Sequence, residues 1–200
     1  MYLRKPYIWG AEVKQARTLT EKQLKLVLAH CATRRHAARD RVILAVSHYA
    51  GLRAKEIAAL TQDNVKDAAG VVRSEFLLIP SQTKGSKSRR VFVSGKLKKE
   101  LEQYLSVAKL RRNCNSLFQS QKGAAFSANT MCQLMIRIYE ECGLEGATSH
   151  SGRRTLISTL ANLGISVKIL AEIAGHSSIQ TTARYISVND ELMRTAIELG

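Results

Sequence analysis

Six side chains scattered through the sequence, Arg53, Lys84, His150, Arg153, His176 and Tyr185, are of types that can act together on a phosphate. Two guanidiniums can clamp its non-bridging oxygens and stabilise the extra charge that develops in the transition state. A tyrosine can be the nucleophile. Its ordinary pKa of about 10 makes deprotonation at pH 7 cost about 4 kcal/mol, so it needs a base or a strong local positive potential. His150, of a type that titrates at about 6.5, is the candidate base, and Lys84 is of a type that can protonate a departing sugar oxygen. Metal-assisted cleavage would call for clustered carboxylates. The acidic residues here are dispersed, and only Glu56 accompanies the arginines and histidines, which argues for a covalent route without a metal.

The elements that must position these groups can be read from periodicity and from stop signals. His150 and Arg153 stand three residues apart, and Ile157, Leu160 and Ala161 follow Arg153 at the spacing of one helix face. The pair therefore extends the inward face of a helix over Arg153–Leu163, at its positive end, where anions are favoured. An inward arginine needs a counter-charge, from a protein carboxylate or from a bound anion. Gly164 and Gly175 read as stops of this helix and of a second over Val167–Ala174. His176 falls in the turn, with Ser177 and Ser178 as candidate N-caps. In the helix after it, Ile179, Thr182, Ala183 and Ile186 form the expected inward stripe. Tyr185 lies off that stripe, beside Thr181 and Ser178.

Upstream, GLRAKEIAAL repeats the pattern: Arg53 leads Glu56, Ile57 and Leu60 at steps of three, four and seven. Glu56 is available for a structural salt bridge, but two such arginines in one basic domain favour a shared anion site. Thr20 with Gln23 predicts a capping box before a helix with Leu24, Val27 and Leu28 inward. Ala37–Ala50 reads as a helix stopped by Gly51, and its His48, like His30 and His36, reads as a packed or surface histidine. Phe76–Pro80 and Arg89–Ser94 read as strands around a tip holding Lys84. Lys84 is either part of a basic rim or a side chain carried to a substrate on a flexible tip; Lys87, Arg89 and Arg90 read as a solvated basic rim. Lys96–Val107 and Ser127–Cys142 are further helices, separated by a polar loop with Arg111, Arg112 and Asn113, and Asp190–Leu199 is a short terminal helix. Helices, hairpin, helices predicts a mostly α domain with a small antiparallel β-sheet on one flank, an α+β class.

Basic residues number 31 against 16 acidic, a net charge of +15 in 200 residues, which points to nucleic acid first and to an anionic membrane surface second. No apolar run approaches the roughly 18 residues of a membrane span, and the first residues, MYLRKPYIWG, lack the apolar segment of a signal peptide. Cys31, Cys114, Cys132 and Cys142 have no metal-ligand spacing and read as free thiols of a reducing, cytoplasmic compartment. Residues 1–17 read as a basic arm that either follows a DNA backbone or packs on the domain surface.

The four boxes GLRAKEIAAL, TKGSKSRRVFV, HSGRR and AGHSSIQTTARY, in this order, resemble those of the tyrosine site-specific recombinase (phage integrase) family. The similarity covers roughly Thr18 to Asn189, leaving residues 190–200 as a C-terminal helix that docks on a neighbouring protomer or packs on its own domain. The resemblance implies the integrase catalytic-domain fold and a catalytic set of Arg53, Lys84, His150, Arg153, His176 and Tyr185, with Glu56 orienting its neighbours. It implies Tyr185 as the nucleophile of a topoisomerase-like reaction, a 3′-phosphotyrosyl intermediate and a free 5′-hydroxyl. Because the phosphoester count is unchanged, neither ATP nor a metal is needed. Arg154 stands where the family usually has histidine, and with Lys87, Arg89 and Arg90 it is assigned to DNA binding. The implied partners are double-stranded DNA, further copies of the chain in a tetramer on DNA, and an accessory or core-binding protein. The last would replace the N-terminal clamp domain that most members carry, since only 17 residues precede the similarity here; a fragment or a naturally short member is the other reading.

A non-enzymatic regulator is the competing class. LAEIAGHSSIQTTARYI reads by itself as a helix-turn-helix, an apolar helix and a Gly-containing turn before a Ser/Thr-rich helix. It leaves Arg53, Glu56, Lys84 and the His150/Arg153 pair without a role, so the recombinase reading accounts for more of the chain.

Overall fold

Thr20 opens the first helix as its sequence requires: its hydroxyl accepts from the Gln23 N–H at 3.2 Å, and Gln23 Oε1 accepts from the Thr20 N–H at 3.0 Å. The computed structural model describes residues 15–83, 87–111, 113–120, 123–185, 193–194 and 197–198. Residues 1–14 of the basic arm, Lys84, Arg112, Ile186 and most of the C-terminal segment lie outside them. Helix α1 (Glu21–His30) buries Leu24, Val27 and Leu28 on one face. Helix α2 (Ala37–Tyr49) buries six consecutive residues from Val42 to Ser47, and a helix apolar on all sides has to be central. It packs against α5 (Gly95–Val107) and α7 (Ser151–Asn162). Asp40 on α2, 1% exposed, is compensated by Arg34 at 2.8 Å and Arg39 at 2.9 Å. Isolated, it would be too costly to bury.

The approach of α2 and α7 depends on Gly152. A Cβ there would fall 2.7 Å from Ser47 Oγ and 3.1 Å from the His48 backbone nitrogen, so only glycine lets the helix that carries Arg153 lie against the centre of the domain. Helix α3 (Ala54–Ala58) and the single turn α4 (Gln62–Val65) follow Gly51. Strands β1 (Glu75–Leu78) and β2 (Arg89–Phe92) form a two-stranded antiparallel sheet in which Leu78 pairs with Arg89 and Glu75 with Phe92. Phe76, Leu78, Arg89 and Val91 face inward, and Leu77, Arg90 and Phe92 face outward.

Ser94 and Ser127 cap α5 and α6 (Ala128–Glu141) through hydroxyls that accept from Leu97 and Thr130. The loop between these helices is polar as expected at Arg111 and Asn113, but Leu117 and Phe118 are fully buried. Leu117 is held by both its backbone groups, its N–H to Leu60 O at 2.8 Å and its carbonyl from the Tyr104 hydroxyl at 2.8 Å. Helix α8 (Val167–Ala174) runs between the Ser166 cap and Gly175, within the bounds its sequence signals. Helix α9 (Ile179–Ala183) is only five residues long. Of the inward stripe expected along it, Thr182 is buried against His176 but Ile179 and Ala183 are exposed, and Ile186 lies outside the described residues. Of the C-terminal segment, Met193, Arg194, Ile197 and Glu198 are helical and exposed. Among the described residues no helix is long and apolar enough to cross a membrane.

Candidate active site

Arg53 immediately precedes α3, and Glu56, in the first turn, holds it twice. The Arg53 N–H donates to Glu56 Oε2 at 2.8 Å and its Nη1 donates to Oε1 at 2.9 Å. The carboxylate is 1% exposed and the Arg53 side chain 20%, so the guanidinium reaches outward from a buried anchor. The second cation on that carboxylate is Arg89, whose Nη2 donates to Oε2 at 2.9 Å. Arg89 was expected on a solvated rim. Instead it is buried on the inward face of β2, since alternation along the strand sends Arg90, not Arg89, to solvent. Lys87 and Arg90 are exposed as expected, with Arg90 at 3.7 Å from Glu75.

Arg153 lies on α7 three residues after His150 and is 1% exposed. Its Nη1 donates to Gly51 O at 2.5 Å and its Nη2 to Ala174 O. Arg89 Nη1 donates to the neighbouring carbonyl, Ile173 O, at 2.6 Å. Two guanidiniums thus cap the C-terminus of α8, where carbonyls lack helical partners and the helix dipole is negative. Gly175 then turns in the left-handed region at φ 58°, and His176 follows, its N–H donating to Ala171 O at 2.9 Å.

His176 Nδ1 hydrogen-bonds to the buried Thr182 hydroxyl at 2.8 Å. Its ring stacks on Tyr185, with centroids 5.6 Å apart and planes at 25°. Tyr185 is half-buried in the turn after α9, its carbonyl accepting from the Ser158 hydroxyl of α7 at 3.1 Å. Arg154 sits 5.9 Å from the centroid of the Tyr185 ring, at the outer limit of a cation–π contact. His150 is exposed at the N-terminal boundary of α7, its backbone N–H donating to the Thr148 hydroxyl. Lys84, five residues before Arg89, lies outside the described residues.

Residues 17–191 match the model of the phage integrase family. The chain belongs to that family. It is 28% identical over 185 residues to the tyrosine recombinase XerA of Pyrococcus horikoshii, across 91% of this chain and 60% of that protein. Two solved structures share the fold. One is the Tn1549 transposon integrase in complex with a circular intermediate DNA (TM-score 0.76, 18% identity, 94% of this chain and 67% of that one). The other is the catalytic domain of the bacteriophage HP1 integrase (TM-score 0.60, 22% identity, 86% of this chain and 87% of that one). The chain spans between about half and three fifths of the length of the curated relatives it matches.

In this integrase domain three guanidiniums face one carboxylate, and the imbalance is visible in the titration of its members. Burial, then Arg53 and Arg89, push Arg153 well below the ordinary arginine range, against a smaller opposite pull from Glu56 and Tyr185. Burial, then Arg153, Arg53 and Arg89, push His176 down to about 4, so it is neutral at pH 7. Burial also pushes His48 down to about 4, whereas His30 is bonded to Glu141 at 2.8 Å. The cluster therefore has an unmet demand for negative charge, and His176, with Nδ1 engaged by Thr182, has Nε2 left for it.

Gly175 is the tightest point of the arrangement. A Cβ there would lie 2.4 Å from Arg89 Cδ, at a backbone φ that L-residues avoid. Gly175→Ala should cost about 1–2 kcal/mol for the left-handed backbone and about 1–3 kcal/mol for overpacking. Urea unfolding should show a fall in the midpoint with an unchanged slope.

Proposed function

We propose that this chain breaks and rejoins duplex DNA as the catalytic part of a site-specific recombinase, through a 3′-phosphotyrosyl intermediate. The observation that carries the reading is the meeting of Arg53, Arg153, neutral His176 and the Tyr185 ring in one cation-rich cluster. Arg53 and Arg153 hold the non-bridging oxygens of the scissile phosphate, and His176 Nε2 adds a third contact. His150 accepts the phenolic proton as Tyr185 Oη attacks phosphorus. The bond to the 5′ oxygen breaks, and Lys84 supplies the proton that makes it a hydroxyl. Attack by a 5′-hydroxyl from a second duplex reverses the steps and frees the tyrosine. One phosphoester is exchanged for another, so the cycle needs no energy source. Because Arg153 is 1% exposed and its guanidinium is held by Gly51 O and Ala174 O, a phosphate reaches it only after a local rearrangement.

Duplex DNA as partner is supported by the net charge of +15 and by the Tn1549 integrase complex. Assembly as a tetramer on DNA, in the cytoplasm, with an accessory or core-binding protein as a further partner, completes the proposal. A regulator that only binds DNA would use α8 and α9 as a reading head. Here the carbonyls ending α8 are instead taken by Arg89 and Arg153, and Thr182 of α9 holds His176.

The test is denaturing electrophoresis after incubation with duplexes nicked beside the cleavage position, in which cleavage frees a short strand whose lost 5′-hydroxyl can no longer rejoin. A covalent protein–DNA band supports the proposal, and binding without such a band on DNA from the chain's own target contradicts it. Binding itself should weaken steeply with salt, by about a thousandfold between roughly 50 and 200 mM if some six phosphates are neutralised. Fluorescence anisotropy across that range measures the slope, and a flat response would contradict a phosphate-dominated interface.

A further inference from the structure

Arg89, expected to bind DNA, is instead buried and has no part in the reaction proposed above, yet it links three parts of the site. Its Nη2 takes Glu56 Oε2, its Nη1 takes Ile173 O, and its side chain fills the space left by the missing Cβ of Gly175. It begins strand β2, five residues after Lys84 in the sequence. Glu56 Oε2 accepts from both the Arg53 backbone and Arg89, and Oε1 alone meets the Arg53 guanidinium, through Nη1. Among the described residues that guanidinium has no other hydrogen-bond acceptor. An arginine beside a carboxylate ordinarily pairs bidentately, spending two parallel N–H groups on it.

Resting on the proposed reaction, we infer that Arg89 is a positioning residue: by occupying Glu56 Oε2 it prevents Glu56 from chelating Arg53, and so leaves the Arg53 guanidinium free for the phosphate. Without Arg89, the buried carboxylate loses half of its compensation, and both its oxygens turn to the one cation still in reach. Arg53 is then neutralised by its own anchor. Arg89 touches no reacting atom; it acts through Arg53. The bond to Ile173 O adds a second constraint, holding the end of α8 and thereby the His176 turn at a fixed distance from α3.

A purely structural role and this one differ in what a second substitution does. Arg89→Met should slow single-turnover cleavage of nicked DNA at least a hundredfold, with the Kd for DNA changed less than about fivefold. Glu56→Gln added to Arg89→Met should recover at least tenfold of that rate, because a neutral amide does not draw in the Arg53 guanidinium. A double variant that recovers less than tenfold, or an Arg89→Met protein that cleaves within a hundredfold of the parent, would overturn the inference. Should Arg89→Met not fold, as judged by its thermal melt, Arg89→Lys decides. Its ammonium still occupies the carboxylate but not Ile173 O, so cleavage within tenfold of the parent is expected, and a folded Arg89→Lys slower than that overturns the proposal. The unsubstituted chain is the control: if it forms no adduct, the proposed reaction fails and not the role of Arg89.

Discussion

Tyr185→Phe is expected to leave DNA binding within about twofold of the parent and to reduce covalent capture of nicked DNA to nothing detectable. Phenylalanine keeps the ring that stacks on His176 at 5.6 Å and lies under Arg154 at 5.9 Å. The backbone carbonyl that accepts from Ser158 is also kept. Only the oxygen that would attack phosphorus is removed, and no other group on the ring can form a phosphoester. Denaturing gels for the adduct, beside anisotropy for binding, separate the two effects. An adduct surviving the substitution would mean that another residue is the nucleophile.

Loss of either site arginine has the next largest effect, and the two should differ in an informative way. By comparison with the removal of other preorganised charge-stabilising donors, Arg153→Met or Arg53→Met should raise the cleavage barrier by about 2.7–4 kcal/mol, a hundredfold to a thousandfold in rate. Arg153 is held at a cost to the fold, for burial and the cations Arg53 and Arg89 disfavour its charged form. That cost is present throughout the pH range below its lowered pKa and is relieved only as the pH rises through it. Removing the charge relieves the cost but leaves Gly51 O and Ala174 O without their donor. An unsatisfied buried carbonyl costs about 1–3 kcal/mol. The opposing terms should leave the melting temperature of Arg153→Met within a few degrees of the parent while cleavage collapses. Arg53→Met has a simpler signature, because its partly exposed side chain leaves behind one buried carboxylate still held by Arg89. Single-turnover rates beside thermal melts measure both; unchanged cleavage in either variant would remove that arginine from the site.

Much of this arrangement is legible where a local signal has a single physical meaning. The Thr20–Gln23 box, the stop at Gly51 and the bounds of α8 between Ser166 and Gly175 all rest on backbone hydrogen bonds that only certain residues satisfy. The Arg53–Glu56 spacing is of the same kind, since one helical turn lets Glu56 reach back to Arg53. Of the His150–Arg153 pair expected on the inward face, Arg153 is buried but His150, just before the helix, is exposed. Legibility ends where tertiary packing overrides local pattern. Arg89, Arg90, Val91 and Phe92 alternate poorly in polarity, so nothing in four residues says that an arginine turns inward while Phe92 is 62% exposed. The deciding factor is Glu56, 33 residues away, whose buried charge needs a second cation. Leu117 and Phe118 enter the core from a loop, with no period to announce them, because their depth is set by Leu60 and Tyr104. Helix α9 is too short for a stripe to have meaning, and the place of Tyr185 is decided by His176 and Ser158.

The most direct test of a tyrosine and two arginines acting on one phosphorus is to digest the trapped protein–DNA adduct with protease and nuclease and sequence the modified peptide by mass spectrometry. The expected result is a single modified residue, Tyr185, carrying a nucleotide through its 3′ phosphate. A nucleotide on any other residue, or one attached through its 5′ phosphate, would contradict it.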